Sequence, residues 1–99
     1  MRIILDDRRP LPENSIYNCV RTYQECTFLL RNFHTITYIS LDFDLGQGET
    51  GLDVLKYMIE VGNDVKHINI HSSHTVGVEM MKTYVEENFP NTKLTLNHL

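Results

Sequence analysis

Apolar positions along the chain switch repeatedly between short continuous runs and three- and four-residue spacing, the pattern of strands followed by helices. Arg2-Ile3-Ile4-Leu5 is an apolar run that ends in two acids, Asp6 and Asp7, and reads as a buried strand entering a polar site. Pro10 and Pro12 bar a regular helix after it, so the segment Arg8 to Ser15 is expected to be an extended connection. Ile16-Tyr17-Asn18-Cys19-Val20 is the second expected strand. Its direction stays open, because the connection is short for a parallel crossover.

Thr22-Tyr23-Gln24-Glu25 has the capping-box pattern, and Cys26, Leu29, Leu30 and Phe33 then supply the apolar face of a helix. Ile36-Thr37-Tyr38-Ile39-Ser40-Leu41 is rich in β-branched and aromatic residues, reads as the central strand, and ends in Asp42-Phe43-Asp44. The two glycines of Leu45-Gly46-Gln47-Gly48-Glu49 predict a loop. Leu52, Leu55, Met58 and Ile59 mark a second helix closing near Gly62. Val65 to His71 follows as a strand; Val78, Met81, Tyr84, Val85 and Phe89 form a third helix stopped by Pro90; Lys93 to Leu96 is a last short strand.

This alternation predicts an α/β fold: a small doubly wound, mostly parallel sheet of about five strands with about three helices. At 99 residues the chain is expected to form one domain over 1–99. A chain this short gains from self-association, so a homodimer is a candidate state. No stretch approaches the roughly 18 consecutive apolar residues of a membrane span, and acids arrive too early for a signal peptide, so a cytoplasmic location is expected. A net charge of −4 argues against broad nonspecific binding to nucleic acid. Cys19 and Cys26 are expected to be buried free thiols, with no second pair to complete a zinc site.

Ligands of such sheets bind beyond the carboxyl ends of the strands, near the point where strand order reverses. That rule gathers Asp6 and Asp7, Arg21 and Thr22, Asp42 and Asp44, and the His71-Ser72-Ser73-His74 run on one edge. Crowded carboxylates are relieved by a hard divalent cation, so Asp6, Asp7, Asp42 and Asp44 are candidate ligands for Mg²⁺ or Mn²⁺, with a phosphate-bearing substrate completing the shell. His71 or His74 is the candidate proton-transfer group beside Asp42, and Arg8, Arg21 and Ser72 are candidate phosphate contacts. Helix caps, surface ion pairs and structural hydrogen bonds are the plain alternatives for the same residues. A zinc site on His71 and His74 lacks a specific spacing.

Carried on Leu5-Asp6-Asp7-Arg8-Arg9-Pro10, Val20-Arg21-Thr22, Ile39 to Gly46, Thr50-Gly51-Leu52-Asp53-Val54 and Ile70 to Gly77, the chain resembles the receiver superfamily, and more closely its cyclic-phosphate-processing branch. The resemblance implies a receiver- or flavodoxin-like sheet whose first helix is replaced by the proline-bearing loop. It also implies an acidic pocket acting on 2′,3′-cyclic phosphate ends of RNA, in settings of RNA repair and mobile elements. Two departures stand out: Phe43 sits between the acids where the pattern often has a histidine, and His74-Thr75 replaces an Asn-Pro pair. A phosphoacceptor receiver module is the alternative function, although Asn97-His98 sits where its lysine is expected. A non-catalytic nucleotide- or protein-binding relative is the third.

Overall fold

A computed structural model describes residues 1–10 and 16–97; Pro12, the rest of 11–15, and His98 lie outside the described residues. The chain runs β1 (Arg2–Leu5), β2 (Asn18–Val20), α1 (Tyr23–Asn32), β3 (Thr35–Ile36), β4 (Tyr38–Leu41), β5 (Asp44–Gln47) and β6 (Glu49–Thr50). It continues with α2 (Gly51–Val61), β7 (Asp64–Val65), β8 (His67–Ile70), α3 (Thr75–Asn88) and β9 (Lys93–Leu96). Five strands pair in parallel in the order β2-β1-β4-β8-β9, so strand order reverses between β1 and β4. This is the expected receiver- or flavodoxin-like arrangement, and the direction of the second strand resolves as parallel. No helix among the described residues is long and apolar enough to cross a membrane.

Period-two alternation divides the sheet into two unlike faces. Ile3, Leu5, Ile39, Leu41, Ile68 and Ile70 share one core cluster with Cys26 and Leu30 of α1, Val54, Leu55 and Met58 of α2, and Met81 and Val85 of α3. All three helices therefore lie against that face. The intervening positions, Ile4, Ser40 and Asn69, are equally buried but belong to the opposite face. Tyr17, just before β2, meets the Tyr38 ring edge-on at 5.9 Å and lies under the Arg2 guanidinium.

The local signals act as expected at the helix ends. Thr22 Oγ1 accepts from the Glu25 amide at 3.0 Å while Glu25 Oε1 accepts from the Thr22 amide at 3.1 Å. A second capping box, unread in the sequence, joins Thr50 to Asp53 at the start of α2. Gly62 closes α2 at φ 72°, a conformation costly for residues with a Cβ.

Several boundaries differ from expectation. The second strand begins at Asn18 rather than Ile16. The strands expected over Ile36–Leu41 and Val65–His71 are each interrupted after their first residue, at Thr37 and Lys66, because β3 and β7 leave the main sheet and pair with each other. At the first break, the Thr37 amide and hydroxyl both donate to the Met1 carbonyl. The expected loop over Leu45–Glu49 is an antiparallel hairpin of β5 and β6, made possible by positive φ at Gly46 and Gly48. Cys19, expected to be buried, is exposed on the edge strand, whereas Cys26 is sealed under α1 and its thiol is pushed up to about 12 by burial.

Gly51, where β6 turns into α2, is packed so closely that an added Cβ would fall 2.2 Å from the Asp42 carbonyl oxygen. A backbone atom cannot swing aside as a side chain can. Gly51→Ala is expected to destabilise the domain by about 1–3 kcal/mol, read as a lower urea midpoint with an unchanged slope.

Candidate functional site

The site grows from three strand ends at the reversal of strand order. Asp6, Asp7, Arg8 and Arg9 follow β1, Asp42 and Asp44 follow β4, and Ser72, Ser73 and His74 follow β8; together they line an open cleft of about 570 Å³. That volume is within the range of small-molecule sites. The expected convergence of Asp6 and Asp42 is therefore present, with Ser73 of the expected His71–His74 run on the cleft wall and Arg9 as an addition.

Asp6 is the most constrained group. It is only 2% exposed, and its Oδ1 accepts from the backbone amides of Arg8 at 2.9 Å and Arg9 at 2.8 Å. Its Oδ2 receives His71 Nε2 at 3.0 Å, with the Arg9 Nε nearby at 3.8 Å. Burial by itself pushes this carboxyl up, but the Arg9 and Arg8 amides and His71 together outweigh it and hold Asp6 below the usual carboxylate range. Asp6 thus stays an anion in a nearly sealed position.

Asp42 has the opposite balance. Burial, and then the charge of Asp6, raise its carboxyl above the usual value despite a hydrogen bond from the Ser72 hydroxyl. Asp6, Asp42 and His71 each bring one ligand-type atom within 4.8 Å of the others, the one such group among the described residues. Asp7 and Asp44, expected as fellow metal ligands, stand outside this group: Asp44 is exposed and its Oδ1 accepts from the Gly46 amide at 2.8 Å, while Asp7 pairs with Arg8 at 3.5 Å. Of the two acids after β4, Asp42 is the inner one.

The two histidines occupy different situations. His71 is 1% exposed and is absent from the cleft wall, with Nε2 on Asp6 and Nδ1 on Ser40 Oγ at 2.6 Å. Burial lowers its basicity against the pull of Asp6 and Asp42. His74 lines the cleft and caps α3, its Nδ1 accepting from the Gly77 amide at 2.9 Å, so the ring proton sits on Nε2. Phe43 explains one departure from the family pattern: its ring lies on Gly77, where a Cβ would fall 2.3 Å from Cγ, and stacks 4.7 Å from the His74 ring. An apolar ring at this position seats the start of α3.

Arg21 and Ser72 have internal partners. Arg21 Nη1 donates to the carbonyls of Asp6 at 3.1 Å and Arg9 at 2.6 Å, bracing the turn from behind rather than lining the cleft. Ser72 Oγ accepts from the His74 amide at 3.1 Å, and the Ser72 amide donates to Asn97 Oδ1. Asn97, at the end of β9, holds this loop with φ 57° where a phosphoacceptor receiver would need its lysine. Among the described residues no lysine lines the cleft.

A family model, the cyclic-phosphate processing receiver domain, matches residues 1–87. No curated protein and no solved structure matches the chain.

The raised Asp42 carboxyl carries a stability consequence with a definite sign. A group whose folded pKa lies above its unfolded value of about 3.9 opposes folding once ionised, and has no such cost below that value. Asp42→Asn is therefore expected to raise the denaturation midpoint at pH 7, and the gain should disappear when the same pair is compared near pH 3.

Proposed function

The chain belongs to the cyclic-phosphate processing receiver domains, and on that premise we propose that it is a divalent-metal-dependent phosphoesterase that opens 2′,3′-cyclic phosphate ends of RNA. The observation that carries this reading is the meeting of two inner acids, Asp6 and Asp42, with Arg8, Arg9, Ser73 and His74 around one cleft. Acids alone would repel a phosphate. Arginines alone would bind it without chemistry.

The residues suit such a division of labour. Asp6 and Asp42 would hold the cation, Mg²⁺ or Mn²⁺, which supplies charge neutralisation for the phosphoryl group when bound. The desolvation cost of Asp42 fits this role, because a cation relieves it. Arg8 and Arg9 reach the phosphate oxygens from the cleft wall, and the Ser73 hydroxyl adds a neutral donor. In ring opening, the oxygen of water bonds to phosphorus as one phosphorus–ribose oxygen bond breaks. The departing ribose oxygen takes up the proton that the water loses, and His74 Nε2–H steadies the charge developing on that oxygen with a hydrogen bond.

The phosphoacceptor alternative has less support, because Asn97 occupies the place of its lysine and is tied to the Ser72 amide.

A short RNA ending in a 2′,3′-cyclic phosphate, incubated with the protein and Mg²⁺ or Mn²⁺, should be converted to a ribose phosphomonoester gaining one water in mass. Asp42→Asn, expected to fold at least as well as the natural chain, should lower the rate by roughly two orders of magnitude or more, and Arg8→Ala should raise KM. Absence of opening across cyclic-phosphate RNAs and both metals would sink the enzymatic reading.

A further inference from the structure

The helix-free face of the sheet carries a row of buried and half-buried polar side chains leading away from the cleft. His71 Nδ1 meets Ser40 Oγ at 2.6 Å, Asn69 Nδ2 donates to Ser40 Oγ at 2.9 Å, Thr95 Oγ1 donates to Asn69 Oδ1 at 2.7 Å, and His67 Nε2 meets Thr95 Oγ1 at 2.8 Å. Strand register makes the row: His67, Asn69 and His71 alternate along one face of β8 and its end, Ser40 pairs with Asn69 on β4, and Thr95 pairs with Asn69 on β9. Ser40 and Asn69 are fully buried, so these bonds cannot be exchanged for water at low cost.

Each hydroxyl and amide in such a row both donates and accepts, so the row has two self-consistent directions. The group at its cleft end selects one. Asp6, held ionised by the Arg8 and Arg9 amides, can only accept. His71 Nε2 must then carry the hydrogen that reaches Asp6 Oδ2, and because Asn69 Nδ2 already donates to Ser40 Oγ, the Ser40 hydroxyl hydrogen is left for His71 Nδ1 to accept. The Ser40 hydroxyl supplies that hydrogen and accepts from Asn69; Thr95 donates to Asn69 and accepts from His67 Nε2–H.

We infer that this one-way relay, from His67 through Thr95, Asn69 and Ser40, locks His71 as the Nε2–H tautomer and makes it a positioning residue for Asp6 rather than a metal ligand. Ligation through His71 Nε2 would put the ring hydrogen on Nδ1, and would either leave the buried Ser40 hydroxyl hydrogen without this acceptor or reverse the row, the Asn69 amide included. The cation is thereby left to the carboxylate oxygens of Asp6 and Asp42, a donor set that favours hard ions such as Mg²⁺ over imidazole-seeking ones such as Zn²⁺. This choice of ion rests on the proposed metal-dependent function, whereas the tautomer does not.

Long-range ¹H–¹⁵N correlation spectra of the labelled full chain at neutral pH, free of metal, read the ring tautomers directly. His71 should show a protonated Nε2 and a bare Nδ1, and His67 a protonated Nε2. A protonated Nδ1 on His71, or a bare Nε2 on His67, would overturn the relay whatever the outcome of the RNA assay. Asn69→Asp, which can only accept at position 69, should turn the Ser40 hydroxyl away and move a proton onto His71 Nδ1; an unchanged His71 spectrum in the folded variant counts against the lock. In the natural chain the His71 Nε2–H signal should survive both Mg²⁺ and Zn²⁺, and its loss with ligand-type shifts at Nε2 would reject the positioning role.

Discussion

A carboxylate nearly sealed from solvent is the constraint on which this site depends. Removing Asp6 from water would cost several kcal/mol if nothing replaced its hydration. Two backbone amides from the following turn and the ring of His71, from the end of a strand far along the sequence, supply that replacement. Those same contacts curl the chain at Arg8 and Arg9, place both arginines on the cleft, and fix the end of β1 against the end of β8. An anion held in this way dictates its surroundings: Asp42 is driven toward neutrality beside it, and the buried polar row behind it has only one consistent direction.

The division of the sheet into unlike faces makes this arrangement feasible in so small a domain. One face takes all three helices and nearly all the aliphatic side chains of the core. The other face is buried but only partly apolar, with Ser40 and Asn69 in hydrogen bonds beside Ile4. Polar side chains at alternate strand positions are tolerable there because each finds a partner.

Phe43 and His74 show how packing and chemistry share residues at the rim. Phe43 fills the space above Gly77 and stacks on His74, while His74 caps α3 through one ring nitrogen and keeps the other as a donor. A histidine absent between the acids is accompanied by one at the helix cap. Arg21, which has the chemistry of a phosphate ligand, is drawn instead to the carbonyls of the Asp6–Arg9 turn.

The order of strands and helices, the capping box at Thr22, the stop at Pro90 and the acids at strand ends were legible in the amino-acid pattern, because period, caps and turn chemistry are local properties. Local information also marked Asp6, Asp42 and His74 as neighbours of a shared edge, once parallel strands were assumed. The splitting of two strands by β3 and β7, the exposure of Cys19 and the hairpin at Gly46 and Gly48 depend on which segments become partners across the fold. Ser40 and Asn69 left a faint mark as single polar residues inside apolar strands, yet their meaning arises only when register sets them side by side. Amino-acid order was enough to bring particular chemical groups to the rim; only the folded contacts make one of them an anchor, another a cap, a brace or a free ligand, because a side chain's role is set by the donors, acceptors and charges within a few ångströms, and those arrive from distant parts of the chain.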